Sequence, residues 1–204
     1  TRRASTRPAN RLIHRWLSPR QPPAPGQISI GAGGQISVGA NSYCYFPLHD
    51  PEKTNWQERK GPENRAALVA CAGEGAARGV LAYIDGQVVG WCNAGPWSQF
   101  PMLRGFPQED QDSIGVIFCF VVDPVHRGQG VATALLDAAC EAFRAAGLKT
   151  AQAKPAKQAE GAAANHLGPL AMYLAAGFSV VAELPNGDVI VRKQLDPATP
   201  QGKA

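Results

Sequence analysis

From Gly79 the chain reads Gly79-Val80-Leu81-Ala82-Tyr83-Ile84, breaks at Asp85-Gly86, and resumes as Gln87-Val88-Val89-Gly90-Trp91-Cys92. Two β-prone runs separated by Asp-Gly predict a hairpin, because that dipeptide accepts the positive φ angles of a tight primed turn. A proline- and aromatic-rich loop follows from Ala94 to Ser113, and then an unbroken apolar run from Ile114 to Val122. Such a run, apolar on both faces, predicts a strand in the middle of a sheet covered on both sides. Upstream, Gly61-Pro62-Glu63-Asn64 opens a helix through Cys71, with Ala67, Leu68 and Cys71 at helical spacing and Gly73 and Gly75 closing it. Downstream, Ala134 to Ala146 is a good helix former closed by Gly147. Ala132, Leu136, Ala139 and Phe143 line one face, widened by Leu135, Ala138 and Ala142.

Earlier in the chain a short motif recurs, Gln27-Ile28-Ser29-Ile30-Gly31-Ala32 and then Gln35-Ile36-Ser37-Val38-Gly39-Ala40. Its alternation around Gly33-Gly34 reads as a two-stranded ribbon that needs a partner to be stable, either as a dimer contact or as an accessory to a larger sheet. Two copies are too few for a solenoid.

Composition narrows the class. A chain of 204 residues is enough for one core plus tails, and 45% hydrophobic with 18% charged residues excludes wholesale disorder. The apolar runs fall short of the ~20 residues that span a bilayer, and no signal-peptide core is visible. The net charge of +4 is unevenly placed. Residues 1–40 hold Arg2, Arg3, Arg7, Arg11, Arg15 and Arg20 and no acid, so the remainder carries 14 basic against 16 acidic groups, a balance of −2. The basic segment, with its Pro22-Pro23-Ala24-Pro25-Gly26 linker, reads as an extension; nucleic-acid contact and a transit peptide are the other readings of an acid-free arginine run. The expected organisation is an extension over 1–40, a domain over 41–196 and a tail over 197–204. Five scattered cysteines (Cys44, Cys71, Cys92, Cys119, Cys140) without C-x-x-C spacing point to reduced thiols in a cytoplasmic protein, with neither disulfide framework nor metal site expected.

The segment with chemical character lies directly after the apolar run: Asp123-Pro124-Val125-His126-Arg127-Gly128-Gln129-Gly130-Val131-Ala132-Thr133. A glycine turn joining a central strand to a helix N-terminus makes an anion site, since free backbone N–H groups and the positive end of the helix dipole converge there. The P-loop string GxxxxGK[ST] is not present, and a dinucleotide fingerprint fails because Thr133 stands where its third glycine belongs.

Arg127 to Ala132 resembles the Gln/Arg-x-x-Gly-x-Gly/Ala pyrophosphate loop of the GNAT superfamily of acetyl-CoA-dependent N-acetyltransferases, and Val122 to Arg127 resembles the Val-x-Pro-x-x-Arg that precedes it. Pro169-Leu170-Ala171-Met172-Tyr173-Leu174-Ala175-Ala176-Gly177-Phe178 is similar to that family's last helix and its Gly-Phe ending. Lys149 to Ala153, Ser179 to Glu183 and Val189 to Lys193 are similar to its remaining strands. The Gly90-Trp91-Cys92 and Cys119-Phe120-Val121 runs resemble a bacterial branch of the family. The resemblance spans roughly residues 42–195 and implies a mixed α/β fold: a mostly antiparallel sheet of six or seven strands flanked by helices and splayed at the cofactor site.

It also implies roles. Acetyl-CoA is the cosubstrate, with its pyrophosphate on the amides of Arg127, Gly128, Gln129, Gly130, Val131, Ala132 and Thr133, where a Cβ at Gly128 or Gly130 would block close approach. Backbone groups of Phe120, Val121 and Val122 would meet the pantetheine arm, and an N–H there would hold the thioester oxygen. Tyr173 is the expected general acid toward the leaving thiolate. Asn165 stands near the position of a cofactor-contacting asparagine, one residue further from Tyr173 than the family's spacing, and His166 either caps the helix or meets the cofactor. Glu109, Asp110 and Asp112 are candidates for a base or for a field that attracts a cationic amine, with solvated surface as the plain alternative. Trp97, Phe100 and Phe106 either wall an acceptor pocket or shield the core, and Asp123 sets the turn. Cys119, in a buried strand, is expected to be inert. The function implied is acetyl transfer to a small-molecule or protein amine in a ternary complex, without membrane or nucleic-acid partners and with a homodimer as one arrangement. A non-catalytic CoA-binding module is the alternative.

Overall fold

Asp85 and Gly86 both take positive φ, 48° and 77°, as the primed turn requires. They fold β2 (Gly79–Ile84) back onto β3 (Gln87–Pro96) in the expected hairpin. The computed structural model describes residues 29–31, 48–53, 55, 58, 61–74, 77–155 and 164–195. The remaining elements are β1 (Ser29–Gly31), α1 (Gly61–Gly73), β4 (Ile114–Val122), α2 (Val131–Ala145), β5 (Thr150–Ala153), α3 (Leu170–Ala175), β6 (Ser179–Glu183) and β7 (Val189–Gln194).

These strands form one seven-stranded sheet in the order β1-β2-β3-β4-β5-β7-β6. β4 and β5 are parallel neighbours and every other pair is antiparallel, so the mixed, mostly antiparallel sheet is as expected. β3 runs four residues beyond Cys92 into the expected loop, because Ala94, Gly95 and Pro96 find partners in Ile117, Val116 and Gly115. From the first ribbon motif Ser29–Gly31 pairs with Tyr83, Ala82 and Leu81 at the sheet edge, so the sheet reaches into the segment read as an extension. The second motif, the arginine run, Cys44 and residues 197–204 lie outside the described residues.

One irregularity positions everything that follows. Ala94 faces Ile117 but Asn93 faces Cys119, so Phe118 is an extra residue, a β-bulge in β4. Pairing with β5 stops at the same place, on Ile117 and Ala153. Beyond it, among the described strands, β4 pairs with β3 alone, and the sheet is splayed.

Both faces of β4 are covered, as an all-apolar strand demands. α2 lies against β2, β3 and β4 and buries Val131, Leu135, Leu136, Ala139, Cys140 and Phe143. Val131 and Cys140 are buried where Ala132 and Ala142 are half-buried, and the helix starts at Val131, three residues earlier than expected. Gly115 lets α2 lie flush: a Cβ there would stand 2.4 Å from the Phe143 ring. On the other face Leu48, Trp97 and Phe100 cover Ile114 and Val116, with Leu68 of α1 alongside. Each such fully buried large side chain contributes about 1.5–3 kcal/mol. Among the described residues no helix is long and apolar enough to cross a membrane, and no cluster of His, Cys, Asp or Glu could hold a metal ion.

Candidate functional site

The chain leaves β4 at Val122 into a loop tied down by its own side chains. Asp123 Oδ1 accepts the Val125 N–H at 3.1 Å and so sets the short 3-10 turn Pro124–His126, as expected. Arg127 Nε donates to the Val122 carbonyl at 3.2 Å, and Gln129 Nε2 donates to the Val125 carbonyl at 3.0 Å. Gly128 and Gly130 have φ of 73° and 82°, and Gly130 is the N-cap of α2, with no side chain capping the helix. The first-turn amides of α2 therefore face outward over the loop.

Together these groups form a cavity of about 300 Å³. The strand and loop side is Val122, His126, Arg127 and Gly128; the helix side is Gly130, Val131, Ala132 and Thr133; Pro169 and Met172 close it from α3. The splay makes this closure geometric: with β5 withdrawn beyond Ile117, the start of α3 comes up beside the free end of β4.

Most of the loop residues expected in the site are in it, and the exceptions have physical causes. Gln129 is absent from the lining because its side-chain amide holds the loop closed on Val125. Phe120 and Val121 do not line the cavity either. Phe120 is buried against Tyr173, ring centroids 6.4 Å apart. The carbonyl of Val122 is already engaged by Arg127. Nothing in the described protein lies within 4 Å of a Cβ built on Gly128 or Gly130, so within the protein it is positive φ, not crowding, that calls for glycine.

Tyr173 lies behind the cavity instead of on its wall. It is 0% exposed, edge-on to Phe178 at 5.2 Å, and its hydroxyl donates to the Leu167 carbonyl at 2.8 Å. Burial pushes the phenol well above its ordinary range, with the neighbouring thiols of Cys92, Cys119 and Cys140 adding to the effect. Asn165 belongs to the 3-10 turn Ala164–Leu167, and His166 in the same turn is exposed.

The acidic trio separates. Asp110 pairs with Arg192 Nη1 at 3.2 Å, while Arg192 Nε donates to Gln152 at 2.7 Å and its second Nη to Gln108, so Asp110 anchors the loop to β5 and β7. Glu109 and Asp112 are exposed. Trp97 and Phe100 shield the second core and Phe106 is 67% exposed, so none of the three lines the cavity. Cys92, Cys119 and Cys140 are buried, reduced thiols, as expected.

Three lining residues went unpredicted: His126, Pro169 and Met172. His126 had a usable signal, its place one residue before Arg127 on a proline-started turn. Pro169 and Met172 arrive from a separate element, which spacing along the chain does not reveal.

Comparison with known proteins agrees with this geometry. The sequence profile of the Acetyltransferase (GNAT) family matches residues 43–178. Among solved structures, yncA of Salmonella typhimurium, determined with its cofactor acetyl-CoA, aligns with a TM-score of 0.55 at 20% identity, over 86% of this chain and 99% of that one. An N-acetyltransferase from Staphylococcus aureus Mu50 gives 0.55 at 14% identity, over 83% of this chain and 99% of that one. At these identities the shared property is the fold. No curated protein matches the chain.

Proposed function

The chain belongs to the GNAT acetyltransferase family, and on that premise we propose that it transfers an acetyl group from acetyl-CoA to a primary amine by direct attack in a ternary complex. One observation carries the reading: the glycine turn, the uncapped N-terminus of α2 and the splay of β4 from β5 meet in a single cavity.

The residues present suit such a cosubstrate. Outward amides at a helix N-terminus bind an anion, and no side chain competes for them. The positive φ at Gly128 and Gly130 turns the loop without Cβ atoms in the path of a phosphate. The edge of β4 beyond the bulge, unpaired with any described strand, is where an extended arm would find backbone groups as an added strand does, once the Val122 carbonyl is released by Arg127. When bound, acetyl-CoA supplies the acetyl group as an activated thioester. Tyr173 is the proposed proton donor to the departing sulfur, its burial keeping the phenol protonated across the physiological range. To act, its hydroxyl must let go of the Leu167 carbonyl.

That hydrogen bond also favours a second reading. A tyrosine that is fully buried and fixed to a backbone carbonyl suits a structural post, and a CoA-binding module without turnover would keep the loop while using Tyr173 only to hold the turn before α3.

The test is a thermal-shift titration with acetyl-CoA, CoA, ATP and NAD, followed by a panel of amines with thiol release as the readout. A ligand at 100 times its Kd adds about 2.7 kcal/mol of stability. Stabilisation by acetyl-CoA and CoA alone, with thiol release on some amine, is the expected result. Stabilisation without turnover selects the second reading, and no response to either CoA species removes both.

A further inference from the structure

The side chains around the cavity are not equally committed. Arg127 holds the Val122 carbonyl and Gln129 holds the Val125 carbonyl, so both stabilise the loop from within. His126 does neither. Its ring lines the cavity at the end of the 3-10 turn, with its side chain 27% exposed. Nδ1 is the shielded nitrogen and has no hydrogen-bond partner among the described residues. Asp123 Oδ2 stands 3.8 Å from it, within ion-pair reach but too far for a hydrogen bond. Asp123 is itself fixed, because its other oxygen caps the turn through the Val125 N–H. Nδ1 is thus the inner nitrogen, beside a fixed carboxylate, and Nε2 is the nitrogen on the other side of the ring.

We infer that His126 is a phosphate-contact residue of this pocket, donating from Nε2 to the pyrophosphate that the α2 amides receive, with Asp123 behind it as the positioning residue. The inference rests on the proposed use of acetyl-CoA and adds a residue to it. An imidazolium donates from both ring nitrogens, so Nε2 can serve an anion while Nδ1 faces the Asp123 carboxylate. Asp123 Oδ2, 3.8 Å from Nδ1, flanks the ring on the side away from Nε2 and limits its orientation. The ring lies on the loop side of the cavity and the amides of Val131, Ala132 and Thr133 on the helix side, so an anion between them is contacted from both. This places the contact at the pyrophosphate and not at the 3′-phosphate on the ribose.

The experiment measures Kd by calorimetry for CoA and for dephospho-CoA, which lacks the 3′-phosphate, on the wild-type chain, His126→Ala and His126→Gln. Loss of a hydrogen bond to a charged group is expected to weaken CoA binding by about tenfold or more in His126→Ala. His126→Gln, which returns an N–H near the position of Nε2, is expected to recover part of that loss. The same fold-change is expected with dephospho-CoA. Equal Kd values for wild type and His126→Ala would overturn the inference, and so would a loss seen with CoA but not with dephospho-CoA. Equal losses in the Ala and Gln variants would show that packing, not donation, is what the ring supplies. Failure of the wild-type chain itself to bind CoA would bring down the underlying functional reading, a result distinct from any variant effect.

Discussion

Tyr173→Phe separates the two readings of the site because it deletes one atom and leaves the packing in place. The Phe120 and Phe178 rings, at 6.4 and 5.2 Å, still meet a six-membered ring of the same size. What disappears is the hydroxyl that donates to the Leu167 carbonyl at 2.8 Å. A neutral hydrogen bond contributes about 0.5–1.5 kcal/mol net, and more when the abandoned partner stays dry. Leu167 is half-buried, so its carbonyl regains water in part, and the expected loss is about 1 kcal/mol. For a domain of this size that lowers Tm by about 2–4 °C, read by circular dichroism on the ligand-free chain. Cosubstrate affinity should hold, because Tyr173 does not line the cavity. The effect on kcat decides the rest: loss of a general acid costs about 10²–10⁴-fold. An unchanged kcat refutes the catalytic assignment, and an unchanged Tm refutes the structural hydrogen bond.

Three further outcomes follow from single contacts. Gly130→Ala forces a Cβ into φ 82°, at a cost of about 1–2 kcal/mol, and should lower Tm and weaken CoA binding together; a fully stable variant would mean that the turn relaxes freely. Gly115→Ala places a Cβ 2.4 Å from the ring of fully buried Phe143, so chemical denaturation should show a loss of about 1–3 kcal/mol from overpacking, and a neutral result would show that α2 can lift from the sheet. The Lys154 ammonium, 2.6 Å from Asp188, holds that carboxyl below its ordinary 3.8, and the Asn186 amide assists against a smaller opposing effect of burial. A lowered folded-state pKa means stability that is present above the unfolded value and lost as pH falls through the folded one. The wild-type advantage over Asp188→Asn should therefore be level at neutral pH and shrink below pH of about 4; an advantage that grows in acid would contradict the pairing.

The alternation around Asp85-Gly86, the all-apolar Ile114–Val122 and the stripe of α2 were legible because each is a local pattern whose period or turn chemistry admits one backbone solution. The glycine loop was legible for the same reason, since positive φ at Gly128 and Gly130 is a demand of the chain itself. The start of α2 was set three residues late because glycine at an N-cap leaves no side-chain signal. The reading of Asp110 as a base could not anticipate Arg192, 82 residues along the chain, which binds it.

What the sequence alone determined is the family, the order of elements and the glycine-turn loop, all carried by short-range patterns of apolar spacing, glycine and turn residues. Tertiary structure decided which side chains reach the cavity. The bulge at Phe118 and the end of β5 pairing at Ile117 open the slot, α3 fills one wall with Pro169 and Met172, and the core draws Phe120 and Tyr173 inward. The physical reason is that a residue's exposure depends on what packs over it, and those partners come from strands and helices distant along the chain.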